Sequence, residues 1–112
     1  MEDTLEVLKA RILLIQYHRA YVRYRIDSGE FGDPFSVERQ EIQNINGKRN
    51  NLIGYFTLQV LDFDLEDLTN ALHGAMQDAN SRKWGLSEEQ ANELYELWLH
   101  FREQLPSDWV PK

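Results

Sequence analysis

The sequence predicts an all-α fold: a small single-domain bundle of four to five helices over residues 1–112, led by a long N-terminal helix. Three observations carry this. Apolar residues recur at three- and four-residue steps from Thr4 to Ser28, the spacing of one helix face. Two later segments open with helix-start chemistry, Asp64-Leu65-Glu66-Asp67 and Ser87 followed by Gln90. The strongest hairpin candidate, around residues 38–61, lacks clean alternation in its first half; helix plus a small hairpin is the alternative there.

The first helix runs from an N-cap at Thr4 to a stop at Ser28-Gly29, about 25 residues or roughly 37 Å. Its main apolar stripe is Leu5, Leu8, Ile12, Ile15, Val22 and Ile26. A second stripe holds Leu13, Tyr17, Ala20 and Tyr24, and a third Val7, Ala10, Leu14 and Tyr21. Only two thin polar lines separate them, Lys9/Gln16/Arg23 and Arg11/His18/Arg25. A helix so apolar all round is expected at the centre of its domain or shared with a second chain. The surplus points to a homodimer interface on Leu13, Tyr17, Ala20 and Tyr24, with Arg19 as either an anchor there or one half of an internal ion pair to the last helix.

Gly29 to Pro34 is turn chemistry, and Pro34 is placed to start a short second helix through Ile45, ended by Asn46-Gly47. Leu52, Ile53, Phe56, Val60 and Phe63 sit at helical steps, so 51–63 is read as a further helix. The Asp64 helix carries Leu65, Leu68, Leu72, Ala75, Met76 and Ala79 on one stripe and is expected to end near Arg82-Lys83. The last helix runs from the Ser87 cap to Leu105 before Pro106, with Ala91, Leu94, Tyr95, Trp98, Phe101 and Leu105 as its inner face.

Composition bounds the function. A chain of 112 residues can bury a single core without cross-links. Cysteine is absent, which removes disulfides, thiolate zinc sites and thiol nucleophiles. The start Met1-Glu2-Asp3 has the wrong sign for a secretory leader, and the longest aliphatic run is Ile12–Ile15, so the cytoplasm is the expected compartment and no membrane contact is expected. The formal charge of −7 divides into +5 over Lys9–Arg25 and −12 elsewhere. Such a field attracts basic surfaces and repels phosphate backbones.

No motif points to catalysis. There is no Gly-rich phosphate loop, no nucleophile elbow, and none of His18, His73 or His100 has a Glu three residues before it, as a carboxylate-bridged metal bundle requires. The cluster Asp62, Asp64, Glu66 and Asp67 lacks the twelfth-position Glu of a calcium loop and reads as helix capping. Neither enzyme activity, a metal nor a cofactor is expected. Glu93, Glu96, His100 and Glu103 share one face of the last helix opposite Trp98, and with Trp109 as an aromatic anchor they form the expected contact surface for a partner with a basic surface. In size, charge and helix content the chain resembles small acidic helical immunity proteins, phage-encoded inhibitors and adaptors, a likeness of composition alone. The expected function is therefore an acidic module that neutralises or regulates a basic protein. A homo-oligomeric helical scaffold or adaptor subunit is the alternative, and a nucleic-acid binder using Arg11, His18, Arg23 and Arg25 is third.

Overall fold

A computed structural model describes residues 4–29, 39–79 and 85–112. Among them all regular structure is helical: α1 (Leu5–Asp27), α2 (Arg39–Leu61), α3 (Leu65–Ala79) and α4 (Glu88–Arg102). The helix starts follow local chemistry. The Thr4 side chain accepts from the Val7 amide at 3.3 Å. Asp64 and Asp67 cap each other's backbone, the Asp67 amide donating to Asp64 Oδ1 at 2.9 Å and the Asp64 amide to Asp67 Oδ2 at 3.3 Å. Ser87 and Gln90 form the full capping box, at 3.1 and 3.0 Å. At the far end of α1, Gly29 takes a φ of 83°, the left-handed conformation that lets the chain leave a helix.

The middle of the chain departs from the sequence-based expectation. Residues 39–61 are one continuous helix that passes through Asn46-Gly47 without interruption, so there is neither a hairpin nor a break at this dipeptide. Val60 in the core and Phe56 packed against it outweigh the local turn preference. The proposed helix start at Pro34 and the end of α3 near Arg82-Lys83 lie outside the described residues.

The helices form two antiparallel pairs. α1 packs chiefly on α2 and α3 chiefly on α4, and α1 also contacts both α3 and α4, which joins the pairs. The core gathers Val7, Ala10, Leu13 and Leu14 of α1, Val60 of α2, Leu68, Leu72 and Ala75 of α3, and Leu94, Leu97 and Phe101 of α4. Beyond Ala20 the α1–α2 pair leaves this core and continues as a two-helix arm, sealed internally by Val22. The molecule is accordingly elongated, 53 × 27 × 24 Å.

Two assignments of faces are corrected. In the first half of α1 the interior belongs to the second and third apolar stripes, through Val7, Ala10, Leu13 and Leu14, whereas Leu5, Leu8 and Ile12 of the expected main stripe are exposed; of that stripe Val22 is fully buried. On α4 the inner position expected for Tyr95 is taken by Leu97, and Tyr95 lies half exposed. Both follow from where the neighbours sit: α3 and α4 cover the side of α1 bearing Leu13 and Tyr17, and no described helix covers the side bearing Ile12.

Candidate functional site

Among the described residues, grooves of different charge flank α1 toward each of its ends. The first lies between the N-terminal turns of α1 and the length of α4. Its walls carry Glu6 and Lys9 of α1 and Glu88, Glu89, Glu93, Glu96 and His100 of α4, five glutamates against one lysine. The capping box at Ser87 and the 3.4 Å contact from Gln90 Nε2 to Gln16 Oε1 fix the start of α4 against α1 and so set the width of this groove. Glu88 and Glu89 stand in the first turn, where the helix dipole favours acids; Glu93 and Glu96 stand beyond it and gain nothing from the dipole. The structure thus brings Glu93, Glu96 and His100 together on one concave surface. Glu103 is the C-cap of α4, past the end of that surface, and is exposed.

Trp109 is placed elsewhere. Its Nε1 donates to Glu66 Oε1 at 3.1 Å, its ring lies 5.3 Å from the Arg102 guanidinium, and Arg102 donates to the carbonyls of Pro106, Ser107 and Trp109 at 3.0–3.1 Å. The Lys112 amide reaches Asn70 Oδ1 at 3.0 Å. The ring expected to anchor a partner instead fastens the C-terminal segment across α3. Tyr55, on α2, is an exposed aromatic by contrast.

The second groove runs along the arm, between the C-terminal half of α1 and the middle of α2. Arg19 and Arg23 line one side, Arg49 and Asn50 the other, over Ile26, Ile53 and Gly54. Arg19 is exposed here and not paired with α4, which corrects the expected internal ion pair. Arg23 meets Asp27 at 3.8 Å, both highly exposed, a contact worth about 0–1 kcal/mol. Sequence spacing does not reveal this groove, because only the packing of α2 on α1 brings Arg49 beside Arg19. The available signal was Arg19 itself, a charge on an apolar stripe.

The residues weighed for oligomerisation and for nucleic acid scatter. Leu13 faces the interior, and Tyr17 and Ala20 pack at its rim; Tyr24 and Arg19 are exposed. Of the basic line, Arg11, His18 and Arg25 are half-buried and only Arg23 is exposed. His18 stacks on Phe56 across the α1–α2 interface, with ring centroids 4.0 Å apart and planes 17° from parallel. Burial pushes its pKa below the ordinary value, and the Arg25 charge adds to this against a hydrogen bond with the Leu52 backbone. Such a histidine is a packing element. Among the described residues no group of three or more His, Asp or Glu side chains could hold a metal ion, and no helix is long and apolar enough to cross a membrane.

Comparison with protein-family models, with curated proteins and with solved structures returned no match.

Proposed function

We propose that this chain is a non-catalytic protein-binding module whose acidic α1–α4 groove docks on a basic surface of another protein, in the manner of an inhibitor or immunity protein. The observation that carries the reading is the concave surface where Glu6, Glu88, Glu89, Glu93 and Glu96 face Lys9. Carboxylates beyond the first turn cost α4 side-chain freedom and add nothing to its dipole, but they steer and orient a partner of opposite sign. The nucleic-acid reading has less support, since three of its four basic residues are half-buried.

The test is capture from the native host with the wild-type chain and with the variant Glu93→Lys/Glu96→Lys. The expected outcome is one or a few basic proteins retained by the wild type and lost from the variant, with an unchanged helical circular dichroism spectrum. Retention of the same proteins by both would reject the reading. A second reading, a homo-oligomeric subunit, is favoured by the exposed row Leu5, Leu8 and Ile12. Sedimentation of the purified chain at rising concentration separates the two.

A further inference from the structure

The side of the α1–α2 pair that bears the arm groove is unlike an ordinary solvated face. On α1 the row Leu5, Leu8 and Ile12 is 61, 44 and 58 % exposed, and on α2 Leu58 and Leu61 are 65 and 54 % exposed. Each row follows three- and four-residue steps, so each lies along one line of its helix. The α1 line continues through Ile15 to Arg19, and the α2 line runs from Leu61 through Leu58 to Gly54; Arg19, Leu58 and Gly54 meet in the groove. The result is an apolar half that runs into an open groove of about 910 Å³ rimmed by three arginines against one aspartate. Among the described residues no carboxylate pairs with Arg19 or Arg49.

Gly54 is a second, independent observation. It occupies the middle of a 23-residue helix, where glycine is the poorest residue short of proline. Among the described residues nothing requires it: a Cβ built there meets no atom within 4 Å, as at Gly47 and Gly74, but of these three Gly54 alone lines the groove. Bare backbone facing open space suits the close approach of another element.

We propose that this face is the docking surface for an acidic amphipathic helix of a partner protein. The helix lays its apolar side chains over Leu58, Ile53 and the bare turn at Gly54 and sets its carboxylates against Arg19, Arg23 and Arg49. The inference stands apart from the acidic α1–α4 groove and does not depend on it. Charge complementarity selects the occupant. A second copy docking the same face by a twofold axis would set its arginines against either the arginines or the leucines of the first, with Asp27 the one carboxylate of the groove to meet them. A second copy docking through its own acidic groove would offer no large exposed apolar side chain to meet the leucines, since the one leucine of that groove, Leu97, is buried. Nucleic acid would satisfy the arginines and leave the leucines wet. An acidic amphipathic helix satisfies both, by the helix-in-groove mode in which anchors at three- and four-residue steps fill the space between two helices. From Leu5 to Ile26 the face spans roughly 30 Å, the length of a helix of about 20 residues.

The experiment titrates the full chain into two fluorescein-labelled 20-residue helical peptides. They share a leucine face and differ in carrying glutamate or lysine on its flank; vesicles of phosphatidylcholine with 30 % phosphatidylserine serve as a third probe. The glutamate peptide is expected to bind at least tenfold more tightly than the lysine peptide. Gly54→Leu, which fills the groove, should weaken it at least tenfold, and Arg19→Glu/Arg49→Glu should exchange the preference to the lysine peptide. Gly54→Ala should keep the fold and most of the binding. The charge-reversal pair carries the test if Gly54→Leu does not fold. Equal binding of the two peptides, no effect of either groove variant, binding to vesicles alone, or dimerisation of the free chain that Gly54→Leu abolishes would each overturn the proposal.

Discussion

The guanidinium of Arg102 lies 5.3 Å from the centre of the Trp109 ring and donates to the Trp109 carbonyl at 3.0 Å. One side chain at the end of α4 therefore holds both the ring and the backbone of Trp109, three residues past Pro106, while the indole N–H is taken by Glu66 on α3. Arg102→Ala should destabilise the fold by about 1–2 kcal/mol, since three charge-assisted hydrogen bonds and a cation–π contact are lost at a partly exposed site. Arg102→Lys should recover only part of this, because an ammonium group cannot reproduce the planar fork. Urea unfolding of the three proteins checks it; an alanine variant within a few tenths of a kcal/mol of wild type would show that the C-terminal segment is not fastened this way.

Among the described residues Phe101 is the largest fully buried side chain, and it sits where α4 meets the core. Phe101→Ala should cost about 3–5 kcal/mol, the transfer term plus the cavity left behind. Tyr95→Ala, six residues earlier and half exposed, should cost about 1 kcal/mol or less. A reversed order in denaturant midpoints would show the helix rotated about its axis.

Two glycines should respond with opposite sign. Gly47 lies inside α2 with no atom within 4 Å of a Cβ, so Gly47→Ala should stabilise by about 0.5–1 kcal/mol. Gly85 holds a φ of 80° in the approach to α4, and an alanine there is strained at a cost of about 1–2 kcal/mol. Thermal unfolding of both variants against wild type reads the signs directly.

His18 makes stability depend on pH. Its pKa is lower in the folded chain than the unfolded value of 6.5, so the unfolded chain binds the proton more readily. The contribution is present in full above that unfolded value, is lost as pH falls through the lowered folded one, and then levels off. His18→Gln should unfold more easily at pH 7.5, through the lost stack on Phe56. Its stability should also fall less than wild type between pH 7.5 and pH 5. Parallel denaturation curves at the two pH values give the difference; equal losses in both proteins would remove His18 as the source.

The helix starts were legible because their chemistry is local: Thr4, Asp64 and Ser87 each satisfy an amide three residues ahead, and that spacing is written in the sequence. The continuity of α2 was not, because Asn46-Gly47 has a strong turn preference that only packing elsewhere along the helix overrules. The face of α1 was not legible for a different reason. With three apolar stripes available, the interior is chosen by the positions of α2, α3 and α4, and nothing within Thr4–Ser28 records those positions. The same limit governs the two grooves. Glu93, Glu96 and His100 belong to one helix face and were found by spacing, whereas Arg19 and Arg49 are brought together only by the antiparallel packing of α1 on α2.

α1 packs substantially on all three other helices, yet only its first half is embedded in the common core. Its last turns and the facing turns of α2 rest on one another, with Val22 fully buried inside the arm and outside the core cluster. Amide protons along α1 should therefore exchange on a gradient, slow near Leu14 and progressively faster toward Asp27, as the arm opens in local steps that leave the four-helix end closed. The molecule is in this sense two cooperative units threaded on one helix. Whatever rigidifies the arm extends protection along α1 toward the core, and a loosened core reaches the arm by the same backbone.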